Sequence, residues 1–187
     1  MDLLRKVVFL DRDGVINRDS TDYIKSWPEF EFIAGSIEAI RDLTLNGFIS
    51  IVITNQSALP RRLLSRQELE HIHRMMSKTI AAGGGKITDI FFCPHLPDDR
   101  CDCRKPKPGL ILQAQRKYNI DLTQTILVGD SARDIECARN AGCGNAILIR
   151  TGKDCGVEKA LKAKQIFPNY VAENLADAAQ WILGQGK

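Results

Sequence analysis

The run Val7-Val8-Phe9-Leu10, followed at once by Asp11-Arg12-Asp13-Gly14, is the tightest constraint on what this chain can become. A short apolar run of this kind reads as a buried strand, and it delivers two carboxylates, one residue apart, to its own carboxyl end. Carboxylates that close repel each other unless a cation lies between them or one holds a proton. Magnesium binding with phosphoryl chemistry meets that need; a solvated loop is the plainer alternative. A calcium loop fits less well, because Gly14 comes too early and no acidic residue closes the pattern.

Similar apolar runs recur near residues 49–53, 90–93, 125–128 and 146–149. They alternate with amphipathic, helix-like segments at 36–46, 65–82, 109–118, 132–141 and 174–183. That alternation predicts an α/β fold, a three-layer doubly wound parallel sheet with helices on both faces. Punctuation agrees: Ser65 with Glu68 and Asn174 with Asp177 suit helix starts, and Gly47, Gly142 and the Gly83-Gly84-Gly85 run suit helix ends. The chain has 187 residues, enough for one core, and 1–187 is expected to form a single domain.

A net charge of +3 without a long basic tract, and only 6% aromatic residues, argue against a nucleic-acid partner. No apolar span of membrane length and no signal-like apolar core is present, so a cytoplasmic protein without a membrane partner is expected, and a monomer. A local basic pocket for an anionic, phosphorylated small molecule remains open.

Ligands of open parallel sheets bind beyond the carboxyl ends of the strands. Besides Asp11 and Asp13, Thr54-Asn55-Gln56 follow the second apolar run. Gly129-Asp130 follow a later one, with Asp134 further on. These offer carboxylates for Mg2+ and donors for phosphate oxygens. Taken singly, Thr54-Asn55 also suits a plain turn and Asp130 a helix N-cap. Arg104-Lys105-Pro106-Lys107-Pro108-Gly109 supplies cations on a backbone stiffened by proline, and Lys105 is the candidate phosphate ligand.

Between the third run and that basic segment lie Cys93-Pro94-His95 and Cys101-Asp102-Cys103. Three thiolates and an imidazole at this spacing suit a closed tetrahedral Zn2+ site, a clip with no open position for water. Such a clip would hold the loop that presents Arg104 and Lys105. Cys137, Cys143 and Cys155 read as ordinary thiols, and His71 and His73, on a charged helix, as a solvated face.

Asp11-Arg12-Asp13-Gly14, Thr54-Asn55-Gln56, Lys105 and Gly129-Asp130 with Asp134, in this order, resemble the four motifs of the haloacid dehalogenase superfamily over residues 6–153. The resemblance implies a phosphatase in which Asp11 is the nucleophile and Asp13 the acid and base. It implies Mg2+ on Asp11, Asp130 and the Asp13 backbone carbonyl, with Thr54 and Lys105 on the transferring oxygens. The zinc loop, and the lack of room for a large cap domain, resemble the group of heptose-bisphosphate and histidinol phosphatases.

The segments 9–17, 30–33, 54–57, 104–109 and 150–153 are more similar to the heptose branch, which implies a heptose 1,7-bisphosphate substrate and a place in lipopolysaccharide biosynthesis. Histidinol phosphate is the alternative, and a non-catalytic module binding a phosphorylated ligand is a third. The resemblance further implies that Arg104 reads the sugar or its second phosphate, and that Asp19, Tyr23, Thr54, Asn55, Gln56 and Ser57 line the pocket. Ala58 and Arg62 stand where the family usually has glycines, the 19–23 loop is one residue longer, and Ser131 replaces a common lysine.

Overall fold

A computed structural model describes residues 6–151 and 156–185. Six parallel strands form one sheet: β1 (Val7–Leu10), β2 (Ile49–Asn55), β3 (Ile87–Cys93), β4 (Ile126–Gly129), β5 (Asn145–Ile149) and β6 (Tyr170–Ala172). They lie in the order β3-β2-β1-β4-β5-β6. Helices α1 (Ser36–Leu45), α2 (Arg66–Ala82), α3 (Gly109–Tyr118), α4 (Ala132–Ala141), α5 (Val157–Ala163) and α6 (Leu175–Gly184) complete the fold.

Strand side chains alternate between faces, so each strand feeds two cores. Val8, Leu10, Val52, Val128 and Ile147 pack with Ile40 and Leu43 of α1, Leu69 and Ile72 of α2, and Ile182 of α6. Val7, Phe9, Ile51, Ile53 and Leu127 pack with Leu110 and Ile111 of α3, Ile135 of α4 and Leu161 of α5. These are the three layers the alternation predicts. Phe9 is fully buried, and truncating it to Ala would cost about 3–5 kcal/mol.

Strand order reverses between β1 and β4, which pair directly through Val8–Ile126, Phe9–Leu127 and Leu10–Val128. The Asp11 N–H continues that ladder by donating to Val128 O at 3.0 Å. The crevice beyond these two strand ends is where such sheets hold ligands. Among the described residues, the β1–β2 connection carries a loop, a short turn at Trp27–Glu29 and α1, and the β2–β3 connection carries α2, so neither holds a cap domain.

Helix starts follow the side-chain chemistry. Glu68 N donates to Ser65 Oγ at 3.1 Å and Asp177 N to Asn174 Oδ1 at 3.0 Å. At α4 the cap is Ser131 and not Asp130: Ser131 N donates to Asp134 Oδ2 at 3.1 Å, which leaves Asp130 to the crevice. Two elements, α5 and β6, lie where the sequence pattern predicts neither helix nor strand. The structure also starts β3 at Ile87, three residues ahead of the apolar run. Arg62 has φ 58 and Tyr23 φ 63, a left-handed backbone that glycine adopts more readily than a residue with a Cβ.

Candidate active site

All the polar candidates at the strand ends except the buried Asp134 face one cleft of about 420 Å³, lined by Asp11, Asp13, Asp19, Tyr23, Thr54, Asn55, Gln56, Ser57, Arg104, Lys105 and Asp130. Gly14, at φ +82, lets the β1 and β4 ends approach, because a Cβ there would run into Asp130 Oδ2. Thr151, past β5, closes the same corner by donating its hydroxyl to Gly14 O.

Lys105 is 3% exposed; its ammonium donates to Ile53 O at 2.9 Å and forms ion pairs with Asp11 Oδ1 at 2.8 Å and Asp134 Oδ1 at 2.5 Å. Burial alone would lower this lysine, but Asp11 and Asp134 outweigh it and raise its proton affinity. Its backbone is gripped by Asn55, whose Oδ1 accepts from Lys105 N at 3.1 Å and whose Nδ2 donates to Lys105 O at 3.2 Å. Asn55 therefore positions the lysine.

Carboxylate oxygens of Asp11, Asp130 and Asp134 lie within 4.8 Å of one another. Asp134, fully buried, is occupied by Lys105 and by the Ser131 N–H, so Asp11 and Asp130 are the pair open to a cation. Burial, opposed by Lys105 and reinforced by Asp134, pushes Asp11 up to about 7. Burial and the nearby Asp11 and Asp134 push Asp130 up to about 8. Crowded, oxygen-only and short of positive charge, the pair suits Mg2+.

The Asp13 carboxylate stands apart from this cluster and sits in a cradle of donors. Arg12 approaches it with Nε at 3.1 Å and with Nη2 at 2.8 and 2.9 Å, Asn17 Nδ2 at 2.9 Å and Gln56 Nε2 at 3.0 Å. Burial would raise Asp13, yet Arg12, Asn17 and Gln56 together hold it below the ordinary carboxylate range. Its side chain is accordingly no candidate metal ligand, which leaves its backbone carbonyl. Gln56 is 4% exposed and also donates to Thr54 Oγ1 at 2.9 Å, so it ties Thr54 to Asp13 and offers the substrate little.

One expectation is overturned here. His73 is not on a solvated face: it is 7% exposed, its Nε2 lies 3.2 Å from Arg12 Nη1, and burial together with Arg12 pushes it down to about 3. Asp134 lies close to Asp11 and Asp130 and pairs with Lys105. The sequence reading also passed over Arg61 and Arg133, which line the cleft; long cations outside any motif carry no local signal. Of the segment 150–153, Gly152 and Lys153 lie outside the described residues, as does Cys155, while Arg150 turns away to Glu158 and Glu173.

Beside the cleft, Cys93, His95, Cys101 and Cys103 bring four ligand atoms within 4.8 Å of one another. Sulfur pairs stand 3.6 Å (Cys93–Cys101), 3.2 Å (Cys93–Cys103) and 3.6 Å (Cys101–Cys103) apart. A tetrahedron with zinc–sulfur arms of about 2.3 Å has edges of roughly 3.8 Å, close to two of these three separations and longer than the third, so the set suits Zn2+. All three thiols are free of disulfides. Arg104 Nη1 donates to His95 O at 3.1 Å, so the loop steers this guanidinium directly.

A switch-point cleft with an acidic pair, a buried lysine and a second acidic strand end is the site class of haloacid dehalogenase-like hydrolases, and the sequence model of the HAD-hydrolase-like family matches residues 102–178. The chain is 46% identical over 149 residues to D-glycero-beta-D-manno-heptose-1,7-bisphosphate 7-phosphatase of Pseudomonas aeruginosa, covering 80% of this chain and 83% of that one. It is 40% identical over 178 residues to the Bordetella bronchiseptica protein of the same name, covering 95% and 98%. A crystal structure of D,D-heptose 1,7-bisphosphate phosphatase from B. bronchiseptica, complexed with magnesium and phosphate, matches with a TM-score of 0.88, covering 96% of this chain and 99% of that one. The chain belongs to this family of phosphatases.

Proposed function

We propose that this chain removes the C7 phosphate of D-glycero-beta-D-manno-heptose 1,7-bisphosphate in two half-reactions on Asp11, with residues 1–187 acting as a single domain. The observation that carries the reading is the meeting of Asp11, Asp13, Lys105 and Asp130 in one cleft, in a chain whose relatives bear that name. In the first half, an Asp11 carboxylate oxygen attacks phosphorus while the bond from phosphorus to the C7 oxygen breaks, and Asp13 gives its proton to that oxygen. In the second, water attacks phosphorus, Asp13 takes the water's proton, and the Asp11 carboxylate leaves. Heptose 1-phosphate and inorganic phosphate are the products.

Arg12 keeps Asp13 ionised in the free chain, and entry of a phosphoryl dianion beside it raises its proton affinity for the acid step. Lys105 and the Thr54 hydroxyl meet the transferring oxygens. Mg2+, held by Asp11, Asp130 and the Asp13 backbone carbonyl, would supply charge neutralisation between the anionic nucleophile and the anionic phosphate. Zn2+ on Cys93, His95, Cys101 and Cys103 would be structural. Arg104, with Arg61 and Arg133, faces the remote C1 phosphate, which a guanidinium binds through two parallel hydrogen bonds. Asp19, Tyr23, Asn55 and Ser57 line the sugar's path. The protein works in the cytoplasm as a monomer, without nucleic-acid or membrane partners, on the route to nucleotide-activated heptose for the lipopolysaccharide core. Among the described residues no helix is long and apolar enough to cross a membrane.

Phosphate release with Mg2+ tests the reading, comparing both heptose 1,7-bisphosphate anomers with histidinol phosphate. The β anomer should turn over fastest, and Asp11→Asn, checked by mass spectrometry for deamidation back to Asp, should lose about 10³-fold or more. Preference for histidinol phosphate would overturn the substrate, and turnover surviving in Asp11→Asn would overturn the nucleophile. No Asp11-dependent turnover of any ester would leave a binding module.

A further inference from the structure

Among the described residues Arg12 is the largest fully buried side chain, 1% exposed, and a buried charge survives only where its protons are spoken for. Its Nε and Nη2 serve Asp13, and the Phe30 ring lies 6.0 Å from its carbon centre. The remaining nitrogen, Nη1, reaches His73 Nε2 at 3.2 Å, across from the β1 end to the middle of α2. Arginine can only donate, so Nε2 must be the acceptor and the imidazole neutral. The low proton affinity of this buried ring agrees. Phe92, 5.8 Å away at an interplanar angle of 62°, fixes the ring from the side. The guanidinium is thus held at both ends, by Asp13 on the cleft side and by His73 on the core side.

We propose that His73 is a positioning residue for proton transfer by Asp13: its imidazole braces the Arg12 guanidinium, whose fork fixes the Asp13 carboxylate at the cleft. The inference rests on the reading of Asp13 as acid in the first half-reaction. Without the brace the guanidinium can turn about its side-chain torsions, and the carboxylate turns with it. Small misplacements of a reacting group cost rate steeply. A histidine that merely filled space beside Phe92 would contribute to stability and leave the chemistry alone.

Leaving groups separate the two roles. The C7 alkoxide cannot depart without a proton, whereas 4-nitrophenolate departs unaided, so faulty aim of Asp13 slows the sugar ester and spares the aryl ester. The experiment follows the first turnover of the Mg2+-loaded enzyme by rapid quench on heptose 1,7-bisphosphate and by the absorbance burst on 4-nitrophenyl phosphate. His73→Phe is expected to slow the sugar ester about tenfold or more and the aryl ester by less than about threefold. His73→Gln, whose amide oxygen can still accept from Arg12, should restore most of the loss. Equal slowing on both esters, or no slowing on the sugar, would overturn the proposal. Should His73→Phe not fold, Arg12→Lys keeps the charge, loses the fork and carries the same test. Asp13→Asn run alongside separates the two failures. If it shows the leaving-group split and the His73 and Arg12 variants do not, the brace alone is wrong. If it lacks the split, the acid assignment falls and the brace with it.

Discussion

Arg133 occupies the first turn of α4, where a cation opposes the positive end of the helix dipole. Among the described residues neither it nor Arg61 nor Arg104 forms an ion pair, yet all three line the cleft. Unpaired guanidiniums around an anion-binding cleft are accounted for by a second anion on the substrate. Arg104→Gln and Arg133→Gln should therefore each lower the preference for the bisphosphate over heptose 7-phosphate, read as a ratio of kcat/KM. A charge-assisted hydrogen bond of about 1.5–3 kcal/mol corresponds to roughly 10–150-fold. An unchanged ratio would remove that residue from the C1 phosphate. Asp11, Asp13, Thr54, Lys105 and Asp130 were legible as candidates because each follows an apolar run or stands in a stiff basic segment. His73 and Gln56 were not legible as supports around Asp13, because their contacts to Arg12 and Asp13 join segments far apart in the chain; Arg12 adjoins Asp13, but its burial follows from packing and not from its position in the sequence. Position 73 on a charged helix looks solvated until that helix is packed on the sheet.

The loop carrying Cys93, His95, Cys101 and Cys103 ties one element to another: β3 ends at Cys93, the loop returns through Cys101 and Cys103, and Arg104 and Lys105 follow at once, with Asn55 of β2 gripping the Lys105 backbone. Its ordering should depend on metal, since three thiols and an imidazole this close together form one ligand set whose binding energy is available only when a cation is shared among them. The protein as purified should contain about one zinc per chain, and Cys101→Ser should lower that content. The variant should also gain amide exchange across 93–108 and lose most kcat with Mg2+ in excess, while the sheet stays protected. Full activity and unchanged exchange after zinc loss would show that Asn55 alone suffices to place Lys105. Elements with both periodicity and caps, such as α2 and α6, were readable from the sequence. The short α5 and β6 were not: seven and three residues carry too little periodicity to distinguish them from loop. The early part of β3 hid because Ile87–Asp89 is half exposed at the sheet edge and lacks a continuous apolar run.

At the scale of the whole molecule, the sheet reversal that makes the site also loads the fold with like charge, and this sets how stability should respond to pH and Mg2+. Asp11 and Asp130 have folded values near 7 and 8 against an ordinary 3.8, so between those limits the folded chain binds more protons than the unfolded one. Their contribution is fully present below the unfolded value and is lost as pH rises through about 7 and 8. His73 acts in the opposite sense: with a folded value near 3 against 6.5, its contribution is present above 6.5 and is lost as pH falls toward 3. Metal-free protein should therefore be most stable in mildly acid solution and weaken toward pH 8.5. A cation held by Asp11 and Asp130 must displace their protons at low pH and meets ready carboxylates at high pH. The rise in Tm on adding Mg2+ should accordingly be small at pH 5.5 and grow steadily to pH 8.5, measured by calorimetry at constant ionic strength. Asp130→Asn should flatten that dependence, and also raise the Tm of the metal-free protein at pH 8.5, because it removes one of the repelling charges without emptying the space. A Mg2+ shift independent of pH, or unaltered in Asp130→Asn, would place the cation elsewhere in the fold.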